Sequence, residues 1–89
     1  MLQVQNLTIS DAVQAKLQAY ILDHLARTPL GAQSVSHLVA EIRCETRINF
    51  PTNHNFAIDV FQALGFTVKQ GLQIDPRRKA GPYTWAVTL

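Results

Sequence analysis

Two segments near the end of the chain alternate apolar and polar residues, and this alternation constrains the fold more than any other feature. The first segment covers residues 66–74 and the second covers residues 83–89. A period of two places every second side chain on the same face of a strand, so each segment predicts a β-strand with one face toward a core. The predicted inward residues are Phe66, Val68, Leu72, Ile74, Tyr83, Trp85, Val87 and Leu89.

The loop between these predicted strands is long and basic. Residues 75–82 read Asp-Pro-Arg-Arg-Lys-Ala-Gly-Pro, so Arg77, Arg78 and Lys79 stand in a row. Compact hairpins are usually joined by about two to five residues, which makes this loop longer than folding requires. A basic loop is often only a solvated turn that protects a sheet edge from aggregation. Its length favours the other interpretation, contact with an anionic partner.

Length and composition limit the fold to one small domain. A chain of 89 residues has room for a single core and needs most of its apolar side chains there. Charged residues make up 16% of the chain, against a usual share of about 25%, and the neutral surface that results indicates a partner or a dimer. The lone Cys44 excludes an internal disulfide. With no membrane-length apolar run and no signal-like start, we expect a cytoplasmic protein.

Three helices are predicted in the first two thirds of the chain. The first follows an N-cap at Thr8 or Ser10 and runs to Arg27, since the proline of the next turn resists helical continuation. A short N-terminal strand is expected before it, at residues 2–5, because Leu2 and Val4 alternate with Gln3 and Gln5. After a short extended piece at residues 32–35, Ser36 is expected to cap the second helix, which ends between residues 43 and 46. The single-domain assignment covers residues 1–89.

The third helix has the clearest limits. Thr52 or Asn53 can cap it, and Gly65 provides the left-handed residue that ends many helices. The connector before it, residues 47–52, is expected to tuck Ile48 and Phe50 beneath it.

The first helix carries two apolar stripes on nearly opposite faces. One stripe is expected to face the core. The other admits three interpretations: it is covered by the N-terminal strand, it packs on a second copy of the chain as a dimer interface, or it is simply exposed alanine. This second stripe consists of Ala15, Ala19, Leu22 and Ala26.

The order helix, short strand, helix, helix, strand, basic loop, strand resembles the winged helix-turn-helix superfamily. Residues 35–42, Val-Ser-His-Leu-Val-Ala-Glu-Ile, are similar to the second helix of such domains, and residues 61–68, Phe-Gln-Ala-Leu-Gly-Phe-Thr-Val, to the end of their third helix running into the wing. The resemblance covers about residues 10–89. It implies an α+β fold, mainly α with a small antiparallel hairpin. The stretch between the two helices, residues 42–53, is longer than a tight helix-turn-helix turn.

The resemblance also implies double-stranded DNA as partner, with the third helix in the major groove and the basic loop as the wing. Asn and Gln can form paired hydrogen bonds with adenine, so the third helix has side chains suited to reading bases. The third helix carries no outward cation, and the negative charge of Asp59 on its outward face would repel phosphate. The electrostatic contribution therefore falls to residues outside the helix. The expected DNA-binding set is Arg43, Arg47, Asn53, His54, Asn55, Gln62, Lys69, Arg77, Arg78 and Lys79.

Catalysis finds little support in the sequence. No nucleophile motif surrounds Cys44, and His24, His37 and His54 lack metal-ligand spacing, so we expect neither an enzyme, a cofactor nor a metal. Two functional hypotheses remain. One is a small DNA-binding transcriptional regulator or accessory factor, and the other is a protein-protein interaction module on the same scaffold, an inhibitor or adaptor like some phage and mobile-element proteins.

Overall fold

A computed structural model describes residues 1–77, 79, 81 and 84–89. Within them lie three helices and two small antiparallel sheets, which confirms the predicted α+β class. Arg78, Ala80, Pro82 and Tyr83 lie outside the described residues, so the predictions made for Arg78 and Tyr83 stay predictions. The elements are β1 (Leu2–Val4), β2 (Leu7–Ile9), α1 (Asp11–Ala26), β3 (Ala32–Ser34), α2 (Val35–Glu45), α3 (His54–Ala63), β4 (Thr67–Gln70) and β5 (Trp85–Thr88).

The chain begins with a hairpin rather than the single strand that the sequence predicts. β1 and β2 pair antiparallel with Val4 opposite Leu7, and Gln5 takes a left-handed φ of 52° in the turn between them. Val4 and Ile9 are buried in the core. The second strand was missed because its three residues immediately precede a helix cap and were interpreted as part of the entry to that helix.

Ser10 caps α1, which settles the choice between Ser10 and Thr8. Its hydroxyl accepts a hydrogen bond from the Val13 amide at 3.3 Å. The last helical residue is Ala26, one before the predicted end. Thr28 follows, and its hydroxyl donates to the carbonyl of Leu25 at 2.7 Å, satisfying one of the carbonyls that a helix end leaves without an intrahelical partner.

α2 begins earlier than the sequence predicts, and the predicted cap at Ser36 is wrong. Ser34, the last residue of β3, caps the helix by accepting a hydrogen bond from the His37 amide at 3.2 Å. Ser34 has the extended backbone of an N-cap, whereas Ser36 already lies within the first helical turn. Ser34 and Ser36 are two residues apart, and either side chain is suited to cap a helix. The pairing of β3 with β5 keeps Ser34 extended, so Ser34 is the residue that caps α2.

α3 has the limits that its sequence predicts. Asn53 is the N-cap, accepting from the Phe56 amide at 3.0 Å. At the other end Gly65 has a φ of 100°, its amide donates to the Gln62 carbonyl at 3.0 Å, and the Phe66 amide donates to the Phe61 carbonyl at 3.1 Å. These two bonds form a Schellman motif, which reverses the chain into β4.

β5 is the central strand of the sheet β3-β5-β4. Ala86 and Val87 are both 0% exposed, so this strand is buried on both faces, unlike the one-sided pattern expected from its sequence. Trp85 is half-buried and packs against the core. β4 is shorter than predicted and ends at Gln70, because Gly71 turns the chain with a φ of 73°. The predicted strand positions Leu72 and Ile74 are therefore half-buried loop residues.

Candidate nucleic-acid interface

The outward face of α3 displays polar side chains, as the DNA hypothesis requires. Asn55, Asp59 and Gln62 are exposed and spaced by four and three residues, so they share one face of the helix. The Asp59 carboxylate accepts a hydrogen bond from the side-chain amide of Gln5 at 3.0 Å. The turn of the β1–β2 hairpin thus contacts this face, an arrangement that sequence reasoning missed because the two residues are 54 positions apart.

Three of the predicted DNA-binding residues meet at the beginning of α3. A groove of about 540 Å³ between α2 and α3 is lined by Arg43 and His54, and a neighbouring depression of about 490 Å³ is lined by Arg43 and Asn53. The Asn53 side-chain oxygen is already used for capping. Because the amide groups of the first helical turn have no intrahelical acceptor and carry partial positive charge, this end of α3 suits an anion such as phosphate.

Arg43 also holds the connector between α2 and α3 in place. Its Nη1 atom donates to the Phe50 carbonyl at 2.6 Å and to Asn49 Oδ1 at 2.9 Å, although the side chain is exposed. The Phe50 ring lies beneath, 2% exposed, with its centroid 4.9 Å from that of Phe61. The connector is therefore held by the hydrogen bonds of Arg43 on its solvent side and by the buried Phe50 ring on its core side. Sequence reasoning assigned Arg43 to DNA alone and gave no role to Asn49.

The other predicted cations lie apart from this groove. Arg47 follows the C-cap of α2, is exposed and takes a left-handed φ of 59°. Lys69 is exposed on β4 opposite Ala86 of the central strand. Neither residue lines the groove or the depression at the beginning of α3.

The loop after β4 has local order in its described residues. The Arg77 amide donates to Asp75 Oδ1 at 2.9 Å, an Asx turn that fixes the direction of the chain at Pro76. The Gly71 amide donates to the Thr84 carbonyl at 2.7 Å and continues the hairpin beyond the paired residues of β4 and β5.

Arg77 and Lys79 are both exposed, and Lys79 also borders a depression of about 280 Å³ against β3. Its lining residues are Gln33, Ser34, Leu72, Ile74, Asp75, Lys79, Gly81 and Thr84, and none of them borders the grooves at α3. Of the predicted cations that the structure describes, Arg43 thus lines the grooves at α3, Lys79 lines the depression against β3, and Arg47 and Lys69 line neither.

Titratable side chains of α1 and α2 form a cluster that the sequence prediction did not identify. The ring centroids of Tyr20 and His24 are 6.1 Å apart, those of His24 and His37 are 6.2 Å apart, and His37 Nε2 lies 3.7 Å from a Glu41 carboxylate oxygen. Burial and then the neighbouring Glu45 raise the pKa of Tyr20 to about 12. The signal was present as residue pairs four apart on each helix.

Glu45 has its pKa held below the usual value, first by a hydrogen bond with Glu41 and then by the Tyr20 hydroxyl. Across the described part of the chain, no group of three or more His, Cys, Asp or Glu side chains is placed to hold a metal ion. In the same residues, no helix has the length and apolar character needed to cross a membrane.

The second stripe of α1 is exposed along its whole length. Ala15, Ala19, Leu22 and Ala26 all face solvent, and Leu22 is 48% exposed. The β1–β2 hairpin does not cover it, so that interpretation is wrong, while a dimer interface and plain exposed alanine both remain. Leu22 borders a shallow groove of about 260 Å³ that also includes Leu89, which is 65% exposed.

Comparison with known proteins finds no matching family model, no similar curated protein and no similar solved structure.

Proposed function

We propose that this chain is a winged helix-turn-helix domain that binds double-stranded DNA, as a small regulator or accessory factor without enzymatic activity. One observation carries the proposal. α3 ends in a Schellman motif that leads directly into β4, and the loop from β4 back to β5 contains Arg77, Arg78 and Lys79. β5 in turn pairs with β3, the strand immediately before α2. A helix pair backed by such a sheet is the arrangement that lets one helix enter a major groove while the strand loop reaches the backbone.

In this proposal the side chains divide into two roles. Asn55 and Gln62, which are exposed on α3, contact base edges, because their amides can both donate and accept. Phosphates are contacted by the loop cations and by the beginning of α3, where His54 lies beside Arg43. Arg47 and Lys69, which are exposed but line neither groove at α3, add long-range attraction.

Asp59 is the main electrostatic obstacle on the reading face. Its hydrogen bond from Gln5 satisfies one carboxylate oxygen but leaves the charge in place. A formal net charge of +2 also gives little overall attraction to a polyanion. We therefore expect the affinity for random DNA to be modest and to depend strongly on the few cations of the loop.

The test is fluorescence anisotropy of a labelled random duplex, titrated with the protein at several salt concentrations. The proposal predicts binding that weakens with salt, because each phosphate contact releases condensed counterions. A protein that shows no salt-sensitive binding to any duplex at micromolar concentration contradicts the proposal. The loop variants described in the Discussion then identify which cations are responsible.

The second candidate function is a protein-protein interaction module on the same scaffold. It is favoured by the groove between α2 and α3, whose walls include Val35, Val39, Ala40 and Ala57, and by the low charge density of the chain. Apolar grooves of this kind suit an inserted helix or strand of a partner. Absence of DNA binding together with loss of partner binding on Ala40→Glu, which places a charge in that groove, would favour this candidate.

A further inference from the structure

We infer that the exposed stripe of α1 is the contact surface for a second copy of the chain, packed antiparallel about a two-fold axis. This inference does not rest on the DNA proposal. Ala15, Ala19, Leu22 and Ala26 are spaced by four, three and four residues, which is the spacing of a coiled-coil seam. All four are exposed, so the seam has no partner among the described residues of its own chain.

The seam is complementary to itself when one copy is reversed. In an antiparallel arrangement Ala15 faces Ala26 of the second copy, and Leu22 faces Ala19 of the second copy. Each large side chain thus meets a small one, which allows close packing without a cavity or a clash. A parallel pair would instead set Leu22 against Leu22 and Ala19 against Ala19, so that two large side chains meet at one level and two small ones at the next.

The charges beside the seam favour the same arrangement. Lys16 and Asp23 are seven residues apart, so they lie within about 20° of each other on one flank of the helix. Two-fold antiparallel packing brings the same flanks together, and Lys16 of each copy then faces Asp23 of the other. Asp23 is already paired with Arg27 of its own chain, with 2.8 Å between the two side chains. Lys16 of the second copy would extend this pair into a three-charge network, which the two-fold axis forms twice. A parallel pair would instead place the Lys16 and Asp23 flanks of the two copies on opposite sides of the seam, where these charges do not meet.

The expected size of the contact predicts a weak dimer. α1 has 16 residues and is therefore about 24 Å long, and one helix pair buries less than the roughly 800 Å² per partner of a standard interface. Leu89, exposed beside Leu22 at the edge of the stripe, adds apolar area. We expect a dissociation constant in the micromolar range or weaker.

The test is sedimentation equilibrium of the whole chain from micromolar to millimolar concentration. We expect reversible dimerisation for the unchanged protein and an association constant at least about tenfold lower for Ala19→Glu, because the new charge would be buried against Leu22 of the second copy. Ala63→Glu makes the same change at an exposed alanine of α3 and is expected to dimerise normally. Circular dichroism checks that both variants are folded.

Charge reversal tests the antiparallel register. Lys16→Glu alone is expected to weaken the dimer, because it sets a like charge against Asp23 of the second copy, and adding Asp23→Lys is expected to restore most of the association. A monomer at every concentration, or dimerisation of Ala19→Glu equal to that of the unchanged protein, overturns the inference. Failure of the second charge change to rescue the first overturns the antiparallel arrangement.

Discussion

Arg43 serves the fold while remaining in contact with solvent. Its guanidinium donates to both the Phe50 carbonyl and Asn49, and so fixes the eight residues that separate the last turn of α2 from α3. This explains how a connector longer than a tight turn can still position α3. It also means that the effect of an Arg43 substitution on DNA binding must be separated from its effect on stability.

Arg43→Ala is expected to lower the free energy of unfolding by about 1 kcal/mol, because the side chain is exposed and its hydrogen bonds are partly replaced by water. Arg43→Lys should lose part of the same stability, since the lysine ammonium is more strongly hydrated and sits on a flexible stem, without the rigid donor geometry of the guanidinium. Urea unfolding followed by circular dichroism measures both. The matched control is Arg47→Ala, an exposed arginine for which the described residues show no side-chain hydrogen bond, and equal losses for both arginines would contradict the anchoring role.

Tyr20 gives a prediction about alkaline pH. Its hydroxyl is buried without a hydrogen-bond partner of good geometry among the described residues, and burial, followed by the nearby Glu45, raises its pKa to about 12. A pKa that folding raises stabilises the protein below the unfolded value of about 10, and this contribution is lost as pH rises from about 10 to about 12.

The titration is best measured in Tyr83→Phe, which leaves Tyr20 as the only tyrosine. Ultraviolet absorbance of the phenolate should rise with a midpoint near 12, and the midpoint should fall to about 10 when the protein is unfolded in urea. Tyr20→Phe should remove the corresponding loss of stability at high pH. A folded-state midpoint near 10 would show that the ring is not held in its buried position beside Glu45.

At the scale of elements, the sequence predicted those helix ends that are fixed by residues close to them in the chain. Thr52 or Asn53 was predicted to begin α3 and Gly65 to end it, because a capping side chain and a left-handed glycine act within four residues of their own positions. The cap of α2 was wrong because Ser34 and Ser36 carry the same local signal, and strand pairing with β5 distinguishes them. Sequence periodicity likewise could not show that β5 is central and buried on both faces.

The candidate site was predictable in its residue types but not in its grouping. Arg43, Asn53 and His54 meet because the eight residues between the two helices bring the end of α2 back to the beginning of α3. No local sequence pattern shows that these three residues are close to one another in space. The contact of Gln5 with Asp59 depends on how the β1–β2 hairpin packs on α3. Because the sequence analysis did not predict this hairpin, it could not predict the contact either.

The loop between β4 and β5 carries the principal prediction for DNA binding. Replacing Arg77, Arg78 and Lys79 together by Ala should flatten the log-log salt dependence of affinity by up to about 2.7, because each phosphate contact contributes about 0.9. Sequence preference should change little, since phosphates carry no base identity. The measurement is anisotropy of a labelled duplex at four or more salt concentrations.

The matched control changes α3 instead of the loop. Replacing Asn55 and Gln62 by Ala should relax sequence preference while leaving the salt slope nearly unchanged, because amides contact base edges without displacing counterions. A salt slope that stays the same in the loop variant would assign the phosphate contacts to other cations and remove the loop from the interface.

At the scale of the whole molecule, one hydrophobic cluster joins both ends of the chain. It includes Val4 of the N-terminal hairpin, Ile21 of α1, Phe61 of α3 and Val87 of β5. Among the described residues, no helix or strand has a core of its own. Unfolding of any one of these elements therefore exposes apolar surface of the others. The assignment of residues 1–89 to a single domain, made from chain length, stays a prediction.

The last prediction is that the protein unfolds in one cooperative transition. Trp85 on β5 reports the sheet through its fluorescence, and far-ultraviolet circular dichroism reports mainly the three helices, so the two signals should change at the same denaturant concentration. Phe61→Ala should lower the free energy of unfolding by about 3 to 5 kcal/mol and move both transitions together, because the ring is fully buried against Phe50. Leu22→Ala, at an exposed position, should cost less than about 0.5 kcal/mol when unfolding is followed by Trp85 fluorescence at a protein concentration well below the expected dissociation constant of the dimer. Separate midpoints for the two signals would mean that the sheet and the helices are stabilised independently, which a core shared by α1, α3 and β5 does not allow.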